Sequence, residues 1–139
     1  MNYFGTDGIR GILGVDYDSI FLYRLGRAIY HLGINRCVIG CDTRVSRDLY
    51  SSLIISGLLS VGIECYYAKV VTTPALINYS LKHNMIGIMI TASHNPYRYN
   101  GIKIIKCGKK LSDDEELLIS EKIENYDDFI LYFQEETRR

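Results

Sequence analysis

The sequence has no excess of either charge: sixteen Lys and Arg offset sixteen Asp and Glu across 139 residues. A nucleic-acid binder usually carries a basic surplus, so this balance argues against that class. Nor is there an apolar run of the ~18 residues that a membrane span needs; Arg24, Arg27 and His31 interrupt the first candidate. The opening Met1-Asn2-Tyr3-Phe4-Gly5-Thr6-Asp7 shows no basic stretch leading into an apolar one, so no secretory signal is read and a cytoplasmic location is expected. Cys37, Cys41, Cys65 and Cys107 form no C-x-x-C pair, and three histidines offer little to complete a metal site. Reduced, mostly buried thiols are expected, with Cys37 and Cys41 on one face of a strand. Internal repeats, low-complexity tracts and linkers are all missing, and the length suits one domain.

What is present alternates between two periods. Asp18 or Ser19 can cap a helix to about Leu32, with Ile20, Phe21, Leu25, Ala28, Ile29 and Leu32 forming one stripe and Gly33 ending it. Residues 36–41 (RCVIGC) read as a short buried strand. A second helix spans about 48–61, with Leu49, Leu53, Ile54, Leu58 and Val61 on one side; Gly57 should weaken it by about 1 kcal/mol relative to Ala. A strand over 63–70 precedes a helix over 74–83, capped by Thr73 with Pro74 behind it. Residues 86–91 (IGIMIT) make the clearest strand, and 102–106 follows closely enough to lie antiparallel to it. Ser112-Asp113-Asp114-Glu115 is a capping box opening a last helix to about Glu124. This order predicts a three-layer α/β/α domain over residues 1–124 with a mixed, mostly parallel sheet. Residues 125–139 then form a charged tail or the start of an interdomain segment, with Phe129–Phe133 as its apolar cluster.

Three clusters could carry chemistry. Thr91-Ala92-Ser93-His94-Asn95-Pro96, followed by Asn100-Gly101, lies at the end of the clearest strand. In α/β sheets ligands bind beyond the carboxyl ends of strands, and Asn95-Pro96 stiffens the chain beside Ser93. A polar loop of ordinary turn residues is the alternative. Neighbouring His94 cannot serve Ser93 as the base of a hydrolase triad, since adjacent extended residues point apart, and there is no G-x-S-x-G elbow. Phosphoryl chemistry suits the loop better: a phosphoserine needs cations and backbone donors, and Lys103 is the nearest fixed cation. Lys103 could equally be a strand-edge lysine that discourages aggregation. The second cluster, Phe4 to Gly11, sets Thr6, Asp7 and Arg10 among three glycines, suited to bidentate phosphate contact or simply a flexible turn. It matches neither a Walker A loop nor G-x-G-x-x-G. The third, Asp42-Thr43-Arg44, follows the RCVIGC strand, where Thr43 or Ser46 could merely cap a helix.

Taken in order, these clusters resemble the first domain of the α-D-phosphohexomutase superfamily, most closely its bacterial phosphoglucosamine mutase subgroup. Tyr3–Gly11, Gly40-Cys41-Asp42-Thr43-Arg44, Thr72-Thr73-Pro74 and Met89 through Lys103 carry the resemblance, which runs from residue 3 to about 124. The resemblance implies that Ser93 carries the transferred phosphoryl group, and that His94 and Lys103 serve proton transfer and charge stabilisation. It further implies that Arg10 faces the phosphoserine and that the phosphate on Ser93 is one ligand of a single Mg²⁺. The implied function is interconversion of glucosamine-6-phosphate and glucosamine-1-phosphate through a hexosamine bisphosphate, in a longer four-domain enzyme. Cys41 and Arg47 depart from the family pattern, and the family's D-G-D-x-D-R metal loop and R-x-S-G-T phosphate loop do not occur. The chain alone is therefore expected to be inactive. Alternatives are a phosphomannomutase/phosphoglucomutase domain, or a non-catalytic module that needs the remaining domains or another copy as partner.

Overall fold

A computed structural model describes residues 2–6, 8–11, 16, 18–42, 47–92 and 100–125. Their order is β1 (Ile9–Gly11), α1 (Ser19–Ala28) continued by a 3-10 turn (Ile29–Leu32), β2 (Arg36–Cys41), α2 (Arg47–Ser60) and β3 (Glu64–Val70). There follow α3 (Thr73–Lys82), β4 (Ile86–Ala92), β5 (Asn100–Lys106), β6 (Lys109–Lys110) and α4 (Asp113–Glu124).

The six strands form one mixed sheet in the order β1-β5-β4-β2-β3, with β6 pairing β5. The β4–β2 and β2–β3 ladders are parallel, whereas each ladder made by β5 is antiparallel. Among the described strands β5 alone runs against the rest. The expected mixed α/β architecture is therefore observed, with β5 antiparallel to β4 as the short connection required.

Local chemistry explains the element ends. Asp18 caps α1 by accepting the Phe21 N–H at 2.8 Å, and Gly33 closes the 3-10 turn at φ +80°. The expected helix to Leu32 thus tightens in its last turn. Ser112 and Glu115 form a reciprocal capping box on α4, and Glu115 also meets Lys106 Nζ at 2.7 Å, tying the helix to β5. The Lys106 ammonium holds the Glu115 carboxyl below its ordinary range, and the capping bonds act in the same direction. Thr72, rather than Thr73, caps α3, accepting the Ala75 N–H at 3.3 Å. Its extended backbone makes it the last residue before the helix, and Thr73 already belongs to the first turn.

Alternation on the strands divides the core. Cys37, Ile39, Cys41, Ile86, Ile88, Ile90, Ile102 and Ile104 face the layer of α1, α2 and α4. Val38 and Met89 face α3, packing with Leu76 and Met85 in a smaller cluster. Cys37 and Cys41 share the first face as expected, but Cys65 is half-buried and Cys107 exposed. Ile20 and Leu49, both placed on buried stripes by spacing, are 54% and 53% exposed. Each stands in the first turn of its helix, where spacing fixes the rotation only weakly. Residues 126–139, with the Phe129–Phe133 cluster, lie outside the described residues.

Candidate functional site

The carboxyl ends of β1, β2, β3 and β4 share one edge of the sheet, because these strands run in the same direction. Chemistry-bearing residues gather there in a definite register. Across the sheet, Arg10 of β1 pairs with Gly101 of β5, which pairs with Thr91 of β4. One step outward, Gly11, Asn100 and Ala92 form the next row. The chain thus passes into residues 93–99 from Ala92 and returns at Asn100, and those two residues are partners.

Sequence spacing suggests a glycine-rich loop or flexible turn over Phe4–Gly11, but its last three residues, Ile9–Gly11, form β1. Two glycines permit the close approach. Gly8 has φ +94°, and a Cβ there would sit 3.3 Å from the Lys103 Cα and closer still to Ile102. Gly101 is the second: a Cβ on it would lie 2.8 Å from Thr91 Oγ1 and 3.7 Å from Arg10 Cγ. The bare backbone at Gly101 lets the Arg10 and Thr91 side chains flank one strand on a common face. Thr91 Oγ1 donates to the Gly101 carbonyl at 3.4 Å.

Lys103 lies two residues beyond Gly101, hence on the same face, and pairs with Met89. It is half-buried, and lines a cleft of about 270 Å³ with Thr6, Gly8 and Thr73. Two cations, Arg10 and Lys103, therefore occupy the α3 face near the edge where residues 93–99 depart. Asp42 follows β2 at the same edge, exposed, its N–H donating to the Ile90 carbonyl at 3.2 Å. The α3 N-terminus, capped by Thr72, begins at that edge as well, where β3 ends.

Ser93 and His94, the residues expected to carry and assist transfer, lie outside the described residues, as do Asp7, Thr43, Arg44 and Ser46. Arg10 and Lys103 are described, and both share one face and one end of the sheet. Spacing alone missed Thr91 and Thr73 as neighbours of these cations. The alternation Gly101–Lys103 carried a usable signal, since residues two apart on a strand share a face.

The family model for phosphoglucomutase/phosphomannomutase, alpha/beta/alpha domain I, matches residues 1–129. The chain belongs to this family. A phosphoglucosamine mutase from Thermotoga sp. (strain RQ2) is 41% identical over 126 residues, covering 90% of this chain and 30% of that protein. One from Clostridium botulinum (strain Loch Maree / Type A3) is 44% identical over 129 residues, covering 88% of this chain and 29% of its own length. The chain therefore spans about 30% of the curated relatives it matches. Among solved structures, a putative phosphomannomutase from Thermus thermophilus superimposes with a TM-score of 0.74 at 30% identity, covering 86% of this chain and 29% of that one. A phosphoglucomutase/phosphomannomutase family protein from Burkholderia thailandensis gives the same TM-score at 24% identity over 90% of this chain, a likeness of fold.

This is accordingly a domain I of the phosphoglucomutase/phosphomannomutase family. No helix among the described residues is long and apolar enough to cross a membrane.

Proposed function

We propose that this chain is the phosphoserine-bearing domain of a phosphosugar mutase acting on glucosamine phosphate, with Ser93 as donor and acceptor of the phosphoryl group. The observation that carries this reading is the row Arg10–Gly101–Thr91, which sets a guanidinium one residue pair below the point where residues 93–99 leave the sheet. Phosphoryl transfer depends on positioning and on neutralising the phosphate oxygens. Arg10 would supply a bidentate donor fork and Lys103 a point charge on the same face. Lys103 and His94 are the groups proposed to accept or return the sugar hydroxyl proton. The relatives named phosphoglucosamine mutase support glucosamine phosphate as substrate, with a hexosamine bisphosphate as intermediate. The description of the matching family and the Thermus structure favour phosphomannomutase/phosphoglucomutase as the second reading of the sugar.

Mg²⁺ belongs to the proposal, and it requires an oxygen shell. Among the described residues no group of three or more His, Cys, Asp or Glu side chains could hold a metal ion. Asp113, Asp114 and Glu115 instead occupy the first turn of α4, where they complement its N-terminal charge. The described residues therefore do not fit a complete magnesium site. A phosphate on Ser93 would supply one ligand, with the others expected from parts of the enzyme outside this chain. The isolated 139-residue chain is accordingly expected to show negligible turnover.

Intact-mass and phosphopeptide analysis after incubation with a hexose bisphosphate tests the assignment, together with turnover after supplying the remaining domains of a relative. One phosphate on the Ser93 peptide, lost in Ser93→Ala, is expected. Turnover by the completed enzyme that survives Ser93→Ala would overturn it.

A further inference from the structure

We propose that Cys37 and Cys65 form a redox-active dithiol that closes to an intramolecular disulfide across β2 and β3. The two residues are direct partners in the parallel β2–β3 ladder. Neighbouring strands lie about 4.8 Å apart, inside the Cα separations that disulfides tolerate. Both side chains are on the same face: Cys37 is buried in the larger core cluster and Cys65 packs against it. Alternation agrees, since Val38 and its partner Tyr66 belong to the opposite, α3-facing cluster.

Position supplies the remaining requirements. β3 ends the strand order, so Cys65 is reachable from the sheet edge while Cys37 lies fully enclosed behind it. Among the described residues each sulfur meets a nearby backbone carbonyl as its weak hydrogen-bond acceptor, Val38 at 3.7 Å for Cys37 and Ile63, just before β3, at 3.6 Å for Cys65. Other pairings are remote. Cys41 lies four residues along β2 from Cys37, about 13 Å at strand rise, and contacts Ser51; Cys107 is in the exposed β5–β6 turn.

The oxidant is a low-molecular-weight disulfide such as oxidised glutathione. The Cys65 thiolate attacks one of its sulfurs, forming a mixed disulfide and expelling one thiolate. Cys37, having given up its proton, then attacks Cys65 Sγ and expels the second thiolate. Two protein thiols are oxidised and one small disulfide is reduced to two thiols. Burial pushes the Cys65 thiol up to about 11 and the Cys37 thiol well above its ordinary value. The reaction is therefore slow near neutrality and accelerates as pH rises and the thiolates form. Because both cysteines stand near the amino ends of their strands, the bond would pin the sheet edge away from Arg10 and Lys103.

The full chain with Cys107→Ser is incubated with oxidised and reduced glutathione at graded ratios, without denaturant, then acid-quenched, unfolded and alkylated. Peptide mapping without reductant is expected to recover a Cys37–Cys65 linked peptide, reversed by dithiothreitol, with Cys41 alkylated throughout. Cys65→Ser, at a half-buried edge position, should abolish the link and leave Cys37 alkylated. A stable glutathione adduct on Cys65 without the link would overturn the proposal. So would a link that forms only in denaturant, or a pair that stays reduced at every ratio.

Discussion

Gly26 of α1 and Gly57 of α2 meet where the two helices cross, each backbone occupying the space that a side chain on the other would need. A Cβ on Gly57 would lie 2.9 Å from the Arg27 amide nitrogen, 3.0 Å from the Gly26 Cα and closer still to the Tyr23 carbonyl. Gly57→Ala gains about 1 kcal/mol of helix propensity but forces the crossing apart. Overpacking of this kind costs on the order of 1–3 kcal/mol, and here the obstacle is backbone. With backbone as the obstacle the cost lies in the upper part of that range, about 2–3 kcal/mol, leaving a net loss of about 1–2 kcal/mol, read as a lower urea midpoint at unchanged slope. An unchanged or raised midpoint would refute the packing role.

Gly8→Ala should detach β1 from β5. Its φ of +94° disfavours any side chain, and the new methyl would press on Ile102 and Lys103. A destabilisation of about 1–3 kcal/mol is expected from the strained backbone. Hydrogen exchange should show the Ile9 amide, across from Ile102 in the β1–β5 ladder, losing protection while the β2–β4 ladder keeps its own.

In the enzyme completed with a relative's remaining domains, Arg10→Ala and Lys103→Met should each lower kcat by about 10²–10³, the range for removing one fixed charge-stabilising group. Melting temperatures should change little for Arg10, which is exposed. Full activity in both variants would exclude these residues from the transfer site.

Acid should loosen α4 through Glu115. Hydrogen bonding to Lys106 lowers its folded-state pKa below the ordinary 4.5, so the ionised form favours folding. That contribution is present above the unfolded value and is lost as pH falls through the lower folded value. Urea midpoints of the wild type and Glu115→Gln should therefore differ near neutrality and converge in acid. Parallel curves over that range would show the pairing to be without effect on stability.

Much of the fold is legible in the sequence because its signals are local. Residues 36–41 and 86–91 are nearly continuous apolar runs, as strands covered on both faces should be. Asp18, Gly33 and Ser112 mark helix ends through bonds made within a few residues. β1 escaped because it is three residues long and its pairing comes from β5, so no neighbouring residue announces it. The clusters of the candidate site were legible as motifs in order. The row joining Arg10, Gly101 and Thr91 was not, since strand register depends on the whole sheet. Gly57 was misjudged for a similar reason: helix propensity treats it as a weakness, and only the α1 backbone opposite gives it a use.

The reversed direction of β5 sets the order in which the domain assembles. Arg10 pairs with Gly101, 91 positions later, whereas β4 and β5 are joined by a short span of chain. Local closures are faster than distant ones, and synthesis exposes the amino-terminal segment first. On a ribosome, Arg10 must wait for β5 before it has a strand to join, whereas β2, β3 and β4 can begin pairing earlier. The arginine is synthesised 91 positions before the residue it faces and docks only once β5 has emerged.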